Sequence, residues 1–351
     1  MSKFYSLKVK EIKRLTLDSV EIVFNNKYPS DFSFKAGQYI TLRKQINNED
    51  VRRSYSLSSS PNSGIEIGVK RVEKGLMSTF LTKDLKVGDT LDVMPPTGNF
   101  YLDSSEENKH YIAICAGSGI TPILSMIRYI TETEPNTYFT LIYGNRSRSS
   151  TMFAQDLLEL ENNFQSQIFI HYVFSRENVS DFIHGRIDES ILNSLFENNK
   201  KLVSADSYFL CGPGEMIDTV SSFLIGQGVK EDKINFERFT ANINQEKNKD
   251  ILQKSEELVS NVMISVDGDD FEFELSSQGK TILEAAMDEG ADVPFSCKGG
   301  VCCVCKAKVM KGKVSMDANY SLSEDEVEAG YILTCQSHPA SEDLVVDFDE
   351  I

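Results

Sequence analysis

The sequence lacks any long hydrophobic run. Its longest apolar stretches, such as Tyr111–Ala116, are far shorter than the roughly 18 consecutive apolar residues that a membrane span needs. The first residues also lack the apolar core of a secretory signal. We therefore expect a cytoplasmic protein with no membrane partner. With 351 residues, of which 40% are hydrophobic, the chain is long enough for two or three globular domains.

Histidine and positive charge are both scarce. Among four histidines, neither a Ser–His–Asp set nor a paired-histidine metal motif is recognisable. The chain has 36 Lys and Arg against 53 Asp and Glu, and a net charge of −17. From residue 260 onward the net charge is −13, which leaves −4 for the first 259 residues. Such an acidic last quarter disfavours nucleic-acid binding and favours a basic protein surface, unless the acidity serves solubility alone.

The pattern of apolar residues divides the chain into three parts and a linker. Short alternating segments separated by turn formers predict an antiparallel barrel or sandwich up to about residue 104. Residues 105–240 alternate apolar strands with helical patterns, which predicts a parallel α/β sheet. A polar linker is expected over 241–258, and a hairpin and a short helix follow within 259–351. The strands expected in the central part are Tyr111–Cys115, Thr137–Tyr143, Ile168–Phe174, Tyr208–Cys211 and Ile234–Phe236.

Seven cysteines, an odd number in a chain without a secretion signal, favour metal or redox chemistry over disulfides. Three share one loop with C-x4-C-x2-C spacing and a fourth follows alone, as in plant-type 2Fe–2S sites. Gly299 and Gly300 would let this loop approach a cluster with positive φ. A zinc site is the alternative, although zinc sites usually pair cysteines in two short clips. Cys303 does not fit the spacing, so we expect that it is not a ligand. The roles of an alternative ligand and of an oxidation-prone thiol stay open for it. The expected cluster ligands are Cys297, Cys302, Cys305 and Cys335.

The run Ser-Cys-Lys-Gly-Gly-Val-Cys-Cys-Val-Cys at 296–305 resembles a plant-type ferredoxin domain. The preceding part of the chain resembles ferredoxin–NADP reductase, and the order is similar to that of oxygenase reductases such as the phenylacetyl-CoA epoxidase reductase components. The resemblance implies an N-terminal antiparallel FAD-binding β-barrel over 1–104 and a central parallel α/β NAD(P)-binding domain over 105–240. After the linker, it implies a C-terminal β-grasp ferredoxin domain over 259–351.

Residues 53–56, Arg-Ser-Tyr-Ser, match the R-x-Y-S signature of that reductase family. Arginine can neutralise a flavin pyrophosphate, tyrosine can pack on the flavin ring, and serine can hydrogen-bond near its N5 atom. A strand and a helix N-terminus follow, where the family places the FAD pyrophosphate. The resemblance favours FAD over FMN, and Phe239 equally fits a core position. The expected flavin contacts are Arg53, Ser54, Tyr55, Ser56, Val69, Lys70, Val72, Gly75, Met77, Ser78, Thr121 and Phe239, with Ser56 also expected to be catalytic.

Residues 117–122 match the family's G-x-G-x-T-P turn rather than the G-x-G-x-x-G fingerprint. The family places the nicotinamide at a Cys-Gly-Pro turn, so Cys211 is the second expected catalytic residue, with a buried structural cysteine as the alternative. Arginines that follow two of the strands can bind a 2′-phosphate, which favours NADPH over NADH as the donor. Glu177 leaves NADH open, and surface arginines that are merely solvated are the other alternative. The expected nucleotide contacts are Gly117, Ser118, Gly119, Asn145, Arg146, Ser175, Arg176, Cys211, Gly212 and Pro213.

Together the motifs predict a reductase that passes electrons from NAD(P)H through FAD to a 2Fe–2S cluster. The resemblance implies that a partner oxygenase then docks at the acidic ferredoxin domain. The same chain would serve a haem protein, a hybrid-cluster protein or a fatty-acyl desaturase. A flavin-free protein with a zinc-bound interaction domain is the remaining alternative.

Overall fold

The computed structural model describes residues 3–103, 108–239 and 257–350. Residues 4–239 form one compact unit, and the C-terminal part of the chain forms a second. The expected linker lies almost entirely outside the described residues, and so does the expected boundary at 104, so the domain limits stay predictions. None of the described helices is long and apolar enough to cross a membrane.

The larger unit begins with an antiparallel barrel. Its strands are β1 (Tyr5–Thr16), β2 (Ser19–Asn25), β3 (Tyr39–Ile46), β4 (Glu49–Ser56), β5 (Ile65–Lys70) and β6 (Thr90–Thr97). Their order along the sheet is β4-β3-β6-β1-β2-β5, and a bridge between Leu57 and Ile67 joins the two edges. Leu7, Ile22 and Ile40 are fully buried in the barrel core, as expected of strands that alternate between core and solvent. Between β5 and β6, α1 (Leu76–Thr79) continues as a wider π-type turn over Phe80–Asp84.

The second part of this unit is a parallel sheet flanked by helices. Its strands are β7 (His110–Ala116), β8 (Tyr138–Asn145), β9 (Ile168–Phe174), β10 (Ile183–His184), β11 (Ser207–Gly212) and β12 (Ile234–Arg238). The helices are α2 (Ile120–Thr133), α3 (Ala154–Asn163), α4 (Glu189–Asn198) and α5 (Gly214–Gly226). The strand order is β10-β9-β8-β7-β11-β12. From β7 the chain adds strands on one side as far as β10, and it then adds β11 and β12 on the other side of β7. Ligands of such sheets bind at the carboxyl ends of the strands beside this switch point.

The C-terminal unit is a mixed sheet with a helix packed on it. Its strands are β13 (Val259–Val266), β14 (Asp269–Ser276), β15 (Lys306–Lys311), β16 (Val314–Met316), β17 (Tyr331–Leu333), β18 (Ser337–Pro339) and β19 (Asp343–Asp347). Five strands follow the order β14-β13-β19-β15-β17, with β13 and β19 parallel, while β16 pairs with β18. Helix α6 (Ile282–Asp288) starts at a Thr281 capping box, and its Ile282, Leu283 and Ala286 enter the core. A short helix α7 (Glu324–Glu328) precedes β17. The expected fold class, a barrel followed by a parallel sheet and a β-grasp domain, is confirmed.

Candidate functional site

The four predicted cluster ligands converge within the C-terminal unit. The Sγ atoms of Cys297 and Cys302 lie 3.1 Å apart, and the thiol of Cys335 forms hydrogen bonds with Cys297 and Cys305. Cys302, Cys305 and Cys335 are buried, whereas Cys297 is partly exposed. One loop and one later segment therefore bring four sulfurs together, although those segments are far apart in the sequence.

The surroundings of these sulfurs favour the thiolate at Cys297 and Cys305, whereas hydrogen bonds to their neighbours raise the pKa values of Cys302 and Cys335. Hydrogen bonds from the Cys302 and Cys335 thiols lower the pKa of Cys297, and the backbone N–H of Gly299 adds to this from 3.3 Å. The pKa of Cys305 is also lowered, mainly by its hydrogen bond with Cys335. Iron binds cysteine as thiolate, and N–H donors to sulfur are typical of iron–sulfur sites. The residues present therefore fit a 2Fe–2S cluster.

The loop that carries three of the cysteines depends on left-handed backbone at two positions. Gly300 has a φ of +73°, and a Cβ there would lie 3.0 Å from the carbonyl oxygen of Ala318. The other left-handed residue is Lys298, with a φ of +50°, rather than Gly299. Of the two glycines expected to supply positive φ, only Gly300 does so.

The fifth cysteine of this region is oriented differently. The thiol of Cys303 donates a hydrogen bond to the carbonyl oxygen of Ser321 at 3.3 Å. Burial raises its pKa to about 11. This placement supports the prediction that Cys303 is not a ligand.

A second cluster of functional groups lies at the switch point of the central sheet. The hydroxyl of Ser56, at the end of β4, donates a hydrogen bond to the carboxylate of Glu237 on β12 at 3.2 Å. Glu237 is paired in register with Cys211 on β11. Burial raises the pKa of Glu237 to about 8, and burial together with the Glu237 charge raises that of the Cys211 thiol. The structure thus joins both predicted catalytic residues to an acid to which sequence analysis assigns no role.

Phe239, two residues after Glu237, is predicted to be either a flavin contact or a core residue. Phe239 is 37% exposed and belongs to none of the hydrophobic clusters among the described residues. Exposure of an aromatic ring argues against the core alternative. Its contact with flavin stays a prediction.

The R-x-Y-S residues lie on the barrel strand β4, with their side chains on alternating faces. The Ser54 hydroxyl lies 3.0 Å from that of Thr41 on β3. Tyr55 is half-buried, and burial raises its pKa. Arg53 is exposed and donates from Nη1 to the carbonyl oxygen of Arg52 at 2.7 Å. An exposed guanidinium beside a half-buried ring fits the phosphate and ring contacts expected of them.

The remaining predicted flavin contacts surround the turn between β5 and α1. Val69 and Met77 are buried in the barrel core, so only their backbone can contact a cofactor. Val72 is exposed, and its N–H donates to the Ser78 hydroxyl at 3.1 Å. Burial lowers the pKa of Lys70. A Cβ at Gly75 would lie 2.6 Å from the Ser78 oxygen, so glycine lets this turn close.

The predicted nucleotide turn between β7 and α2 packs directly on β11. A Cβ on Gly119 would lie 2.2 Å from the carbonyl oxygen of Cys211, so no larger residue fits. Gly117 has positive φ, and Thr121 donates to the carbonyl oxygen of Ser118 at 3.0 Å. The Thr121 methyl also faces strand β5, because it would lie 2.6 Å from a Cβ on its Gly68. The turn therefore lies between the switch point and the barrel.

Two further segments end beside one another at the same edge. Backbone N–H groups of Ser175 and Arg176 donate to the carbonyl oxygens of Asn145 and Arg146, each at 2.9 Å. Asn145 is buried, while the two arginines are exposed. On β11, Gly212 is buried and the following Pro213 is exposed.

Glu177, the residue that leaves NADH open as the electron donor, is already hydrogen-bonded to Arg148. Its carboxylate accepts hydrogen bonds from the backbone N–H and the Nε of Arg148, at 2.7 Å and 2.9 Å. These hydrogen bonds lower the pKa of Glu177. The carboxylate is therefore held by an arginine of the same edge.

Comparison with known proteins places this geometry in a family. The chain matches the oxidoreductase FAD-binding domain over residues 6–101, the oxidoreductase NAD-binding domain over 113–222 and the 2Fe–2S iron–sulfur cluster binding domain over 264–340. It is 40% identical to one of the subunits of 1,2-phenylacetyl-CoA epoxidase of Escherichia coli (strain K12), over 99% of both chains. The chain belongs to the iron–sulfur flavoprotein reductases.

Other reductases match this chain over almost its whole length. The ferredoxin reductase component of 3-ketosteroid-9-alpha-monooxygenase of Rhodococcus rhodochrous is 30% identical over 99% of this chain and 97% of that protein. The solved structure of phthalate dioxygenase reductase, described as modular for electron transfer from pyridine nucleotides to [2Fe–2S], superposes with a TM-score of 0.61. It is 27% identical and covers 98% of both chains. The expected FAD, NAD(P)H and 2Fe–2S cofactors and the oxidoreductase activity are confirmed, and the zinc alternative is left without support.

Proposed function

We propose that this reductase passes electrons from NAD(P)H through FAD and the 2Fe–2S cluster to a partner oxygenase of the phenylacetyl-CoA epoxidase type. The observation that carries the proposal is the pair of sites in one chain: Ser56, Cys211 and Glu237 meet at the switch point, and four cysteine sulfurs meet in the C-terminal unit. The oxygenase type comes from the relative that is 40% identical over nearly its full length.

The chain's own residues would prepare the flavin side of this reaction. When bound, the flavin takes up the two electrons of a hydride, and the cluster carries electrons singly. When Glu237 is protonated, its carboxyl could donate to the Ser56 oxygen, and the single Ser56 hydroxyl proton would then be free to face the flavin ring. Cys211 is buried and Glu237 is half-buried, and Glu237 holds a proton at its carboxyl near neutral pH.

We propose NADPH as the preferred donor. Arg146 and Arg176 are exposed on adjoining segments at the carboxyl edge of the sheet, where planar guanidinium groups can bind a 2′-phosphate. A carboxylate in this position would instead accept a bond from the ribose 2′-hydroxyl of NADH. Glu177 is engaged by Arg148, which supports the phosphate-binding alternative.

The acidic helix α7 is proposed to receive the partner. Glu324, Asp325 and Glu328 are exposed on this helix, and the preceding Ser321 accepts the hydrogen bond of Cys303 in the cluster loop. Negative charge so close to the loop would steer a basic partner surface towards the electron donor. The seven cysteines form no disulfide, which suits a reducing compartment and supports a cytoplasmic location.

An anaerobic titration with NADPH tests the relay. We expect bleaching of flavin absorbance, together with a rhombic 2Fe–2S signal in low-temperature electron paramagnetic resonance. Bleaching without that signal would contradict the cluster assignment. No bleaching with either NADPH or NADH would overturn the proposed function.

Charge reversal tests the docking site with a matched control. Asp325→Lys on α7 should lower the rate of reduction of the partner oxygenase, and added salt should lower the native rate. Asp269→Lys makes the same change on an exposed position of β14 in the same unit. Equal effects of the two variants, or a native rate independent of salt, would contradict docking at α7.

A further inference from the structure

Gln336 lies directly after the fourth predicted cluster ligand and is 7% exposed. Its Nε2 atom lies 2.7 Å from the carbonyl oxygen of Cys335 and 3.7 Å from the Sγ of the same residue. The same nitrogen also donates to the carbonyl oxygen of Lys298 at 3.2 Å. One buried side chain therefore contacts both segments that supply the cluster ligands.

The contacts fix which way the amide points. Two carbonyl oxygens and a sulfur surround Nε2, and all three are acceptors. An amide nitrogen has two protons to donate, whereas an amide oxygen at this place would meet three acceptors. The N–H₂ group therefore faces the sulfur, and its positive end lies beside the thiolate that the ligand role requires.

The amide also holds the strained part of the cluster loop. Lys298, whose carbonyl it binds, has the unusual φ of +50° for a residue with a side chain. Gly300 in the same loop is close as well, because a Cβ there would lie 3.2 Å from the Cγ of Gln336. On the opposite side, the backbone carbonyl of Gln336 accepts from the N–H of Asp317 at 2.8 Å. Gln336 thus joins the loop, the Cys335 segment and the chain before α7.

We propose that Gln336 is a positioning residue that ties the cluster loop to the Cys335 segment and raises the reduction potential of the cluster. The inference rests on the proposed role of Cys335 as a ligand. Reduction makes the cluster more negative, and N–H groups beside the sulfurs stabilise that added charge. Removing the donor therefore disfavours the reduced state and lowers the midpoint potential.

The test compares the full-length holoprotein with Gln336→Met, which keeps the length of the side chain and removes both donors. A redox titration followed by the 2Fe–2S resonance signal gives the midpoint of loaded molecules only, so incomplete loading does not distort it. We expect an approximately tenfold shift of the reduction equilibrium towards the oxidised cluster, which is about 59 mV for one electron. Release of iron to a chelator should also become faster, because the loop loses its tie to Cys335.

Gln278→Met makes the same chemical change at an exposed turn of the same unit and should leave both measurements at the native values. If Gln336→Met holds no cluster, Gln336→Glu is titrated instead. Its carboxylate should lower the midpoint by more than the shift expected for Gln336→Met. A native midpoint in whichever variant is titrated would overturn the inference, as would an equal shift in Gln278→Met. Absence of the resonance signal in the native protein would instead refute the proposed cluster ligation.

Discussion

Replacement of Glu237 by glutamine tests the proton that the structure places beside Ser56. Burial raises the pKa of this carboxyl to about 8, against the opposing effect of the hydrogen bond from Ser56. The carboxyl is therefore mostly protonated at pH 7 and ionises as the pH rises through 8. Glutamine keeps the shape of the side chain and stays neutral throughout.

The size of the effect follows from the fraction of protein that holds the proton. With a pKa of about 8, roughly nine-tenths of the molecules are protonated at pH 7 and about one-tenth at pH 9. An ionised carboxylate at this position opposes the negative charge that hydride transfer brings to the flavin. If transfer needs the neutral group, kcat should fall about tenfold between these two pH values.

The assay is reduction of ferricyanide by NADPH, which needs no partner oxygenase, measured from pH 6 to pH 9.5. Native protein should lose activity with an inflection near pH 8, and Glu237→Gln should show no such inflection. Glu231→Gln, at an exposed position ahead of the same strand, should keep the native profile. A native profile that is flat across pH 8, or an inflection that survives in Glu237→Gln, would refute the reasoning.

The raised pKa also makes a prediction about stability. Between its ordinary range and pH 8, this carboxyl binds more proton in the folded than in the unfolded protein. The free energy of unfolding should therefore decrease as the pH rises through that window, and Glu237→Gln should remove this part of the decrease.

Four further variants address the cluster and the nucleotide edge. Cys302→Ser should abolish cluster-dependent cytochrome reduction and spare ferricyanide reduction. Cys303→Ser is the control, because the native thiol faces Ser321, and it should spare both activities. Survival of both activities in Cys302→Ser would contradict the role of Cys302 as a ligand. Arg176→Ala should raise the KM for NADPH far more than that for NADH, and equal changes would exclude a 2′-phosphate contact. Gly119→Ala should lower the free energy of unfolding by about 1–3 kcal/mol in urea titrations, since its Cβ would lie 2.2 Å from a backbone oxygen; native stability would contradict that geometry.

Periodicity predicts the strands of the central sheet well, because each buried strand is an apolar run of its own. The strand expected over Ile168–Phe174 has those bounds in the structure. The strand expected over Thr137–Tyr143 instead runs over Tyr138–Asn145. It is longer because Gly144 and Asn145 still pair with β9, and a glycine and an asparagine give no apolar signal for this.

The candidate site is predictable where its residues lie at a characteristic spacing within one short segment of the chain. Three of the cluster ligands share one loop, so their spacing identifies them without a fold. Glu237 meets Ser56 across 181 residues, and Gln336 meets Lys298 across 38 residues. Neither partner is visible in a local motif, because only the folded chain brings them together. Phe239 shows the same limit, since its exposure depends on what packs around the end of β12.

The parallel pairing of β13 with β19 has a consequence for how the C-terminal unit forms. Asn261 pairs with Asp343, about 80 residues later, and all four cluster cysteines lie in the chain between these strands. Pairings over such distances slow folding, because a long loop must close before any contact is gained. Binding of iron by Cys297 and Cys335 would close a shorter loop inside the larger one and add binding energy to folding. Cluster assembly and completion of this sheet should therefore be coupled steps, and this unit should lose structure when its iron is removed.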